Sequence, residues 1–155
     1  MSQKRDTDYL AVSTRIHAME NRMLTRERME RMIDAKDSGE AAKVLSECGY
    51  GELTQLTSAA LEELLADARR NTFRDMADSV PDRRLVEVFQ LKYDYHNAKV
   101  LIKAQAMGLD EARLLSQGGR YDPQRLREDF LRDDLRDWGE VFRQAVLRAR
   151  EVLSA

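Results

Sequence analysis

The sequence has few of the residues from which catalytic and metal centres are commonly built. It contains one cysteine, Cys48, and two histidines in 155 residues. A single cysteine excludes an intramolecular disulfide and a thiolate cluster, and it favours a reducing, cytoplasmic compartment. Neither histidine has the Glu-x-x-His spacing of di-iron carboxylate bundles, because Thr14 precedes His17 and Tyr93 precedes His96. We therefore predict no catalytic residue, no metal site and no cofactor.

Features that attract nucleotides, nucleic acids or bilayers are also missing. Neither a G-x-x-x-x-G-K-[ST] loop nor a G-x-G-x-x-G motif occurs. The 26 basic and 28 acidic residues nearly cancel, so no net field draws the chain to nucleic acid or to an anionic membrane. No apolar run approaches the length of a transmembrane helix, and the first ten residues lack the apolar core of a signal peptide. We therefore expect neither a nucleic-acid partner nor a transmembrane segment.

What the sequence does contain is a helical pattern. It is 43% hydrophobic but only 6% aromatic, so aliphatic residues must build the interior. Apolar residues recur at steps of three and four, the spacing of one helix face. Three stretches follow this rule: Tyr9, Val12, Ile16, Met19 and Met23; Val86, Phe89, Tyr93, His96, Val100, Lys103 and Met107; Trp138, Phe142, Ala145, Ala149 and Val152. The second stretch counts the side-chain stems of the polar residues His96 and Lys103 as part of the seam. The pattern predicts an all-α, compact multi-helix bundle.

Capping and breaking residues agree with this periodicity. Helix starts are predicted at Thr25, Asp37, Ser58 and Asp122, and helix stops at Gly49 and before Pro81. The longest helix is predicted from about Asp82 to Gly108. SQGGR, at 116–120, is the one clear loop. About seven helices joined by short links predict a single helical domain over 1–155.

A polar run, YDYHN at 93–97, interrupts the longest predicted helix. Five such residues in succession pass through every face of a helix, so one or two must point inward and find hydrogen-bond partners. Asp94 and Asn97 lie three apart on one side, and His96 lies near the apolar seam. We interpret Asp94, His96 and Asn97 as a structural hydrogen-bond network that fixes helix packing, with catalysis as the alternative.

Three segments together resemble one protein family. LKYDYHNAKVLIKAQAMGL, from Leu91 to Leu109, looks like the long-helix signature of the C subunit of bacterial and archaeal V/A-type ATPases, which is the equivalent of the d subunit of vacuolar ATPases. Tyr9 to Asp37 is similar to the N-terminal helices of that family. Leu114 to Leu126 resembles its Gly-rich loop followed by a helix that starts with proline. Family members usually run to roughly twice this length, so the chain is expected to correspond to their N-terminal half.

The resemblance implies a mechanical role without catalysis. Such subunits are central-stalk sockets on the cytoplasmic face of the membrane. They receive the central shaft and couple it to the membrane proteolipid ring during proton or other ion transport. The implied partners are therefore the shaft subunits and the ring, and the implied location is cytoplasmic and peripheral to the membrane.

Several alternatives remain beside this expectation. A generic helical protein–protein interaction adaptor, or a stand-alone shortened homologue with no role in the ATPase, fits the same composition. A hydrolase or metalloenzyme is a further alternative, which requires the YDYHN run to open into a cleft. A partner interface is expected at Trp138, Phe142 and Val152, with Lys99 and Lys103 as a basic stripe. We expect this apolar stripe to cause self-association as a homodimer, with folding back within the chain as the competing outcome.

Overall fold

The computed structural model describes residues 5–53 and 56–154. These residues form seven α-helices and two single-turn 3-10 helices, Asp6–Tyr9 and Ala112–Leu114, with no strand among them. The all-α prediction is therefore confirmed. The α-helices are α1 (Leu10–Glu20), α2 (Arg26–Ile33), α3 (Ser38–Glu47), α4 (Ser58–Ser79), α5 (Arg84–Met107), α6 (Pro123–Leu131) and α7 (Glu140–Ser154).

The chain divides into two compact units, Met1–Arg83 and Arg84–Ala155. Helices α1 to α4 belong to the N-terminal unit, and helices α5 to α7 belong to the C-terminal unit. Each unit has its own set of buried apolar residues. A single helical domain over 1–155 stays a prediction.

The N-terminal unit is built on the pair α2 and α3. Thr25 caps α2, because its side chain accepts a hydrogen bond from the Arg28 amide, as predicted. Asp37 caps α3 by accepting from the Glu40 amide at 2.8 Å. Helix α3 supplies most of the unit's buried apolar residues: Ala41, Ala42, Val44, Leu45 and, at its C-terminal end, Cys48. Gly49 follows with φ at 79°, a left-handed conformation that suits the end of a helix.

The start of α4 differs from the prediction by one residue. Thr57, and not Ser58, is the cap, since its hydroxyl accepts from the Ala60 amide at 3.2 Å and its backbone is extended. Adjacent hydroxyl residues are equivalent in sequence, and the extended backbone decides between them. Helix α4 ends at Ser79, before Pro81 as predicted, but none of its residues is buried.

The C-terminal unit is organised around α5, which at 24 residues is the longest helix in the described part of the chain, as predicted. It packs against α6 and α7. Helix α6 begins as predicted, with Asp122 accepting from the Arg125 amide at 2.8 Å and Pro123 in the first helical position. The core of the unit consists of Ala98, Leu101, Ile102, Leu126, Phe130, Leu135, Trp138, Phe142 and Val146.

The predicted apolar seam of α5 is wrong for most of its length. Phe89 is 66% exposed and Met107 is 67% exposed. His96 and Lys103 are also exposed. Of the predicted seam only Val86 is fully buried, and the other buried residues of α5 are Asp94, Asn97, Ala98, Leu101, Ile102 and Ala104. A count of apolar side chains could not find the buried face, because two of its most buried members are polar and are satisfied from outside the helix.

The stripe predicted on the last helix is corrected in a similar way. Trp138 and Phe142 are each 3% exposed and lie in the core of the C-terminal unit, so they do not form an open apolar surface. The edge of the Tyr121 ring packs on Trp138 with the ring centroids 4.5 Å apart. Beyond Phe142 the buried position is Val146, and Val152 is 72% exposed. The competing outcome, folding back within the chain, therefore applies to Trp138 and Phe142.

Candidate functional site

The polar run of α5 holds the SQGGR loop against the helix. Asp94 has no exposed surface. Its Oδ1 accepts a hydrogen bond from the Arg120 amide at 2.9 Å and from the Tyr121 amide at 3.4 Å. Its Oδ2 accepts from Nε of the Arg120 side chain at 2.6 Å. Both carboxylate oxygens are therefore committed to one short segment of chain.

The Asp94–Arg120 pair is a charge-assisted contact in a largely buried setting. The side chain of Arg120 is 24% exposed and that of Asp94 is fully buried. Burial alone would lower the pKa of Arg120, but the hydrogen bond and the negative charge of Asp94 together raise that pKa above its ordinary value. The guanidinium therefore keeps its charge, and the carboxylate keeps a permanent partner.

Asn97 makes the second attachment, one helical turn further along α5. Its side-chain amide donates to the Ser116 carbonyl at 2.9 Å, and its Oδ1 accepts from the Ser116 amide at 2.7 Å. Asn97 is 1% exposed. The side chain thus replaces the backbone partner that Ser116 would have in a regular element. We call Asp94 and Asn97, with their partners Ser116 and Arg120, the loop clamp.

Gly119 allows the loop to approach α5 closely. A β-carbon at this position would overlap the Oδ1 atom of Asp94. The Gly119 carbonyl accepts a hydrogen bond from the side-chain amide of Gln90 at 3.1 Å. The sequence indicates only a flexible turn here, but the more specific contribution of the glycine is the absence of a side chain beside Asp94.

His96 lies outside the clamp, although the sequence places it in the same network. Its Nε2 donates to the Leu114 carbonyl at 3.0 Å, and both residues are exposed. The ring therefore makes one surface contact and has no buried partner. The grouping of Asp94, His96 and Asn97 divides into two buried loop holders and one exposed residue, and their shared structural role stays a proposal.

The clamp leads directly into the core of the C-terminal unit. Tyr121, which follows Arg120, donates its hydroxyl hydrogen bond to the Trp138 carbonyl at 3.1 Å. The guanidinium carbon of Arg120 lies 4.8 Å from the centroid of the Tyr121 ring. A continuous chain of contacts therefore connects α5, the loop and the segment that precedes α7.

Chemically, this arrangement is closed. The side chains of Asp94 and Asn97 form hydrogen bonds with backbone groups of the loop and with the side chain of Arg120. Neither residue presents a polar atom to a cleft where a substrate could bind. The geometry favours mechanical fixation of the loop over acid–base chemistry.

Two other features bear on ligand binding. A groove of about 640 Å³ lies along α2 and α3. Four of its charged lining residues are engaged, since Arg31 pairs with Glu47 at 3.0 Å while Asp37 and Glu40 accept from backbone amides near the start of α3. Within residues 5–53 and 56–154, no three His, Cys, Asp or Glu side chains come together as metal ligands. The absence of a metal or cofactor stays a prediction.

The residues predicted for a partner interface divide into two sets. Trp138 and Phe142 are buried, whereas Lys99, Lys103 and Val152 are exposed. The two lysines make no ion pair in the part of the chain that the structure describes. Their role as contact residues remains a proposal.

Sequence reasoning missed the loop partners of α5. It assigns Ser116, Gly119 and Arg120 only to a loop, although they lie 19 to 29 residues from the side chains that hold them. One signal was available: a polar pair inside a helix needs partners, and a glycine-rich loop has free amides to donate. Nothing in the spacing, however, connects the two segments.

No helix in the described ranges is long and apolar enough to cross a membrane.

Comparison with known proteins identifies the family. A family model described as ATP synthase (C/AC39) subunit matches residues 12–150, which include both parts of the loop clamp. The C subunit of the V-type sodium ATPase of Enterococcus hirae is 23% identical to the chain over 122 residues, which are 78% of this chain. The match spans only 37% of that relative's length. No solved structure matches. The chain belongs to the ATP synthase (C/AC39) subunit family.

Proposed function

We propose that this chain is a non-catalytic coupling subunit of a V/A-type rotary ATPase, linking the rotor shaft to the membrane proteolipid ring during ion transport. The observation that carries the proposal is the family match over residues 12–150. The similarity to the C subunit of a V-type sodium ATPase supports the same assignment. In this proposal the chain turns over no substrate and lies at the cytoplasmic face of the membrane.

The loop clamp is consistent with a part that transmits force. A coupling element must resist shear, so its loops should be fixed to its helices and not free to rearrange. Asp94 and Asn97 fix residues 116–121 through hydrogen bonds whose acceptors and donors are largely buried. Buried, fully satisfied polar networks rigidify the elements that they join.

Co-purification tests the proposed assembly. The chain, carrying an affinity tag, is expressed in its source cells, and the membranes are solubilised in mild detergent. We expect the shaft subunits and the proteolipid ring to elute with the tagged chain, and an untagged chain serves as the control. Recovery of the tagged chain free of both partners, from an extract whose ATPase remains assembled and active, would contradict the proposal.

A further inference from the structure

The side of α5 opposite the loop clamp is unusually open for the central helix of its unit. Leu85, Phe89 and Met107 are 51%, 66% and 67% exposed. On a helical projection most of the exposed residues of α5 occupy an arc of about 100° that faces away from Asp94 and Asn97. We call this arc the outer face; it consists of Leu85, Val88, Phe89, Lys92, His96, Lys99, Lys103, Ala106 and Met107.

The outer face carries positive charge without any acidic residue. The two acidic residues of α5, Glu87 and Asp94, project from the opposite side of the helix. Lys92, Lys99 and Lys103 are exposed and form no ion pair within residues 5–53 and 56–154. The ammonium of Lys92 lies 4.9 Å from the centroid of the Tyr93 ring.

This lack of partners contrasts with the arginines of the same unit. Seven of them hold a carboxylate within 4 Å: Arg120 with Asp94, Arg125 with Asp137, Arg127 with Glu111, Arg132 with Asp129, Arg136 with Asp134, Arg143 with Glu140, and Arg150 with Asp133. Acidic residues are therefore plentiful in the unit, yet none in the part of the chain that the structure describes forms an ion pair with the lysines of α5. The positive charge of the outer face is left available for a partner.

Along the helix axis, apolar and basic residues occupy different parts of the outer face. Leu85, Val88 and Phe89 occupy the first turns, and the lysines follow at spacings of seven and four residues, which are two turns and one turn. Ala106 and Met107 end the face. The surface complementary to such a face is a second helix, with apolar residues at one end and carboxylates at the other. We propose that the outer face of α5 binds an acidic amphipathic helix of a partner protein.

An anionic membrane fits this surface less well. A helix that lies in a membrane interface needs an apolar stripe along its whole length, whereas the middle of the outer face is occupied by Lys92, His96, Lys99 and Lys103. The chain as a whole also carries a net charge of −2. In a second copy of this chain, Asp133, Asp134 and Glu140 already hold arginines, so these three carboxylates are not free to pair with the lysines of α5. The proposal uses only residues of α5 and does not depend on the ATPase assignment.

A synthetic peptide provides the probe for this interaction. The peptide is a fluorescein-labelled, alanine-rich helix with leucines in its first two turns and glutamates spaced to oppose the three lysines. A second version has the order reversed to allow for either helix direction. Each version has a matched control that carries glutamine in place of every glutamate. Fluorescence anisotropy measures binding at low salt, and vesicles of phosphatidylcholine with phosphatidylserine are tested by co-sedimentation.

We expect one acidic peptide to bind the full chain and its glutamine control to bind at least about tenfold more weakly. The variant Lys92→Gln/Lys99→Gln/Lys103→Gln should lose a similar factor, and so should Leu85→Ser/Phe89→Ser. The matched variant Lys36→Gln/Lys43→Gln, in the N-terminal unit, should bind like the wild type. Circular dichroism checks that every variant is folded.

Three results would overturn the proposal. The first is equal binding of the acidic peptide to the wild type and the triple lysine variant. The second is no binding of either acidic peptide. The third is charge-dependent sedimentation with the vesicles in the absence of peptide binding, which would assign the outer face to a membrane surface.

Discussion

Asp94 has no exposed surface, and its hydrogen-bond donors come from residues 120 and 121. Its role is therefore best considered together with that of Arg120, because removing the carboxylate leaves a partly buried guanidinium and two amides without their acceptor. A buried pair that loses one partner costs more than the pair contributes, since the remaining charge stays desolvated. His96 offers the natural comparison, because it lies in the same run but is exposed.

Replacing Asp94 with alanine should lower the free energy of unfolding by about 3 kcal/mol, because the Arg120 side chain loses its charged partner. His96→Ala should change it by only about 0.5 kcal/mol, since the lost hydrogen bond lies at the surface. Both changes can be measured by urea titration of tryptophan fluorescence, because Trp138 is the only tryptophan and lies in the C-terminal unit. Equal losses in the two variants would contradict the division of the polar run into buried and exposed members.

Gly119→Ala should destabilise the C-terminal unit by about 1 to 3 kcal/mol, because the new methyl group overlaps Oδ1 of Asp94. The effect should be smaller in an Asp94→Ala background, where the opposing atom is gone. The same fluorescence titration on the two single variants and the double variant gives the coupling energy. Strict additivity of the two changes would show that Gly119 is needed for a reason other than its proximity to Asp94.

At the scale of the helix, α5 has its polar and apolar residues on unexpected sides. Its buried face includes Asp94 and Asn97, and its outer face includes Leu85, Val88 and Phe89. Each arrangement follows from what lies beside the helix. On one side, α5 is held by a loop that supplies polar groups to Asp94 and Asn97. Helices α6 and α7, which pack on α5 within the C-terminal unit, leave the other side exposed.

The assignment of faces can be tested by truncating one large side chain on each. Leu101→Ala removes a side chain that is 2% exposed and should cost about 2 to 5 kcal/mol. Phe89→Ala removes a larger side chain that is 66% exposed and should cost about 0.5 kcal/mol or less. Denaturation midpoints followed by Trp138 fluorescence compare the two variants. A larger loss for Phe89→Ala would restore the seam that periodicity predicts.

The elements were more predictable than the sides on which they pack. Caps such as Thr25 and Asp122 act through neighbours three residues away, so the sequence shows both partners at once. The contact between Asp94 and Arg120 spans 26 residues and depends on the path of the intervening chain. Periodicity predicts that a helix has a buried stripe, but the stripe of α5 is recognisable only when the loop is seen against it.

At the scale of the whole molecule, self-association as a homodimer stays a prediction, and it now depends on a smaller apolar surface. Burial of Trp138 and Phe142 leaves Ala145, Ala149 and Val152 of the predicted stripe exposed. Val141 lies on the same side of α7; Val141 is 79% and Val152 72% exposed. We expect a concentration-dependent dimer in size-exclusion chromatography with light scattering at tens of micromolar. Val141→Asp/Val152→Asp should shift it to monomer, and a wild type that is already monomeric at these concentrations contradicts the prediction.

We propose that the chain couples ATP hydrolysis to ion movement, and the number of ions moved per ATP hydrolysed is the quantity that tests this role. ATP-driven ion uptake and ATP hydrolysis are measured in inverted membrane vesicles and in the matching soluble fraction, from source cells with and without the gene. Without the chain, we predict that uptake falls to background while the catalytic part of the ATPase, whether bound or released, still hydrolyses ATP. Wild-type chain supplied from a plasmid should restore uptake. An unchanged number of ions moved per ATP in cells without the chain would show that the chain has no coupling role.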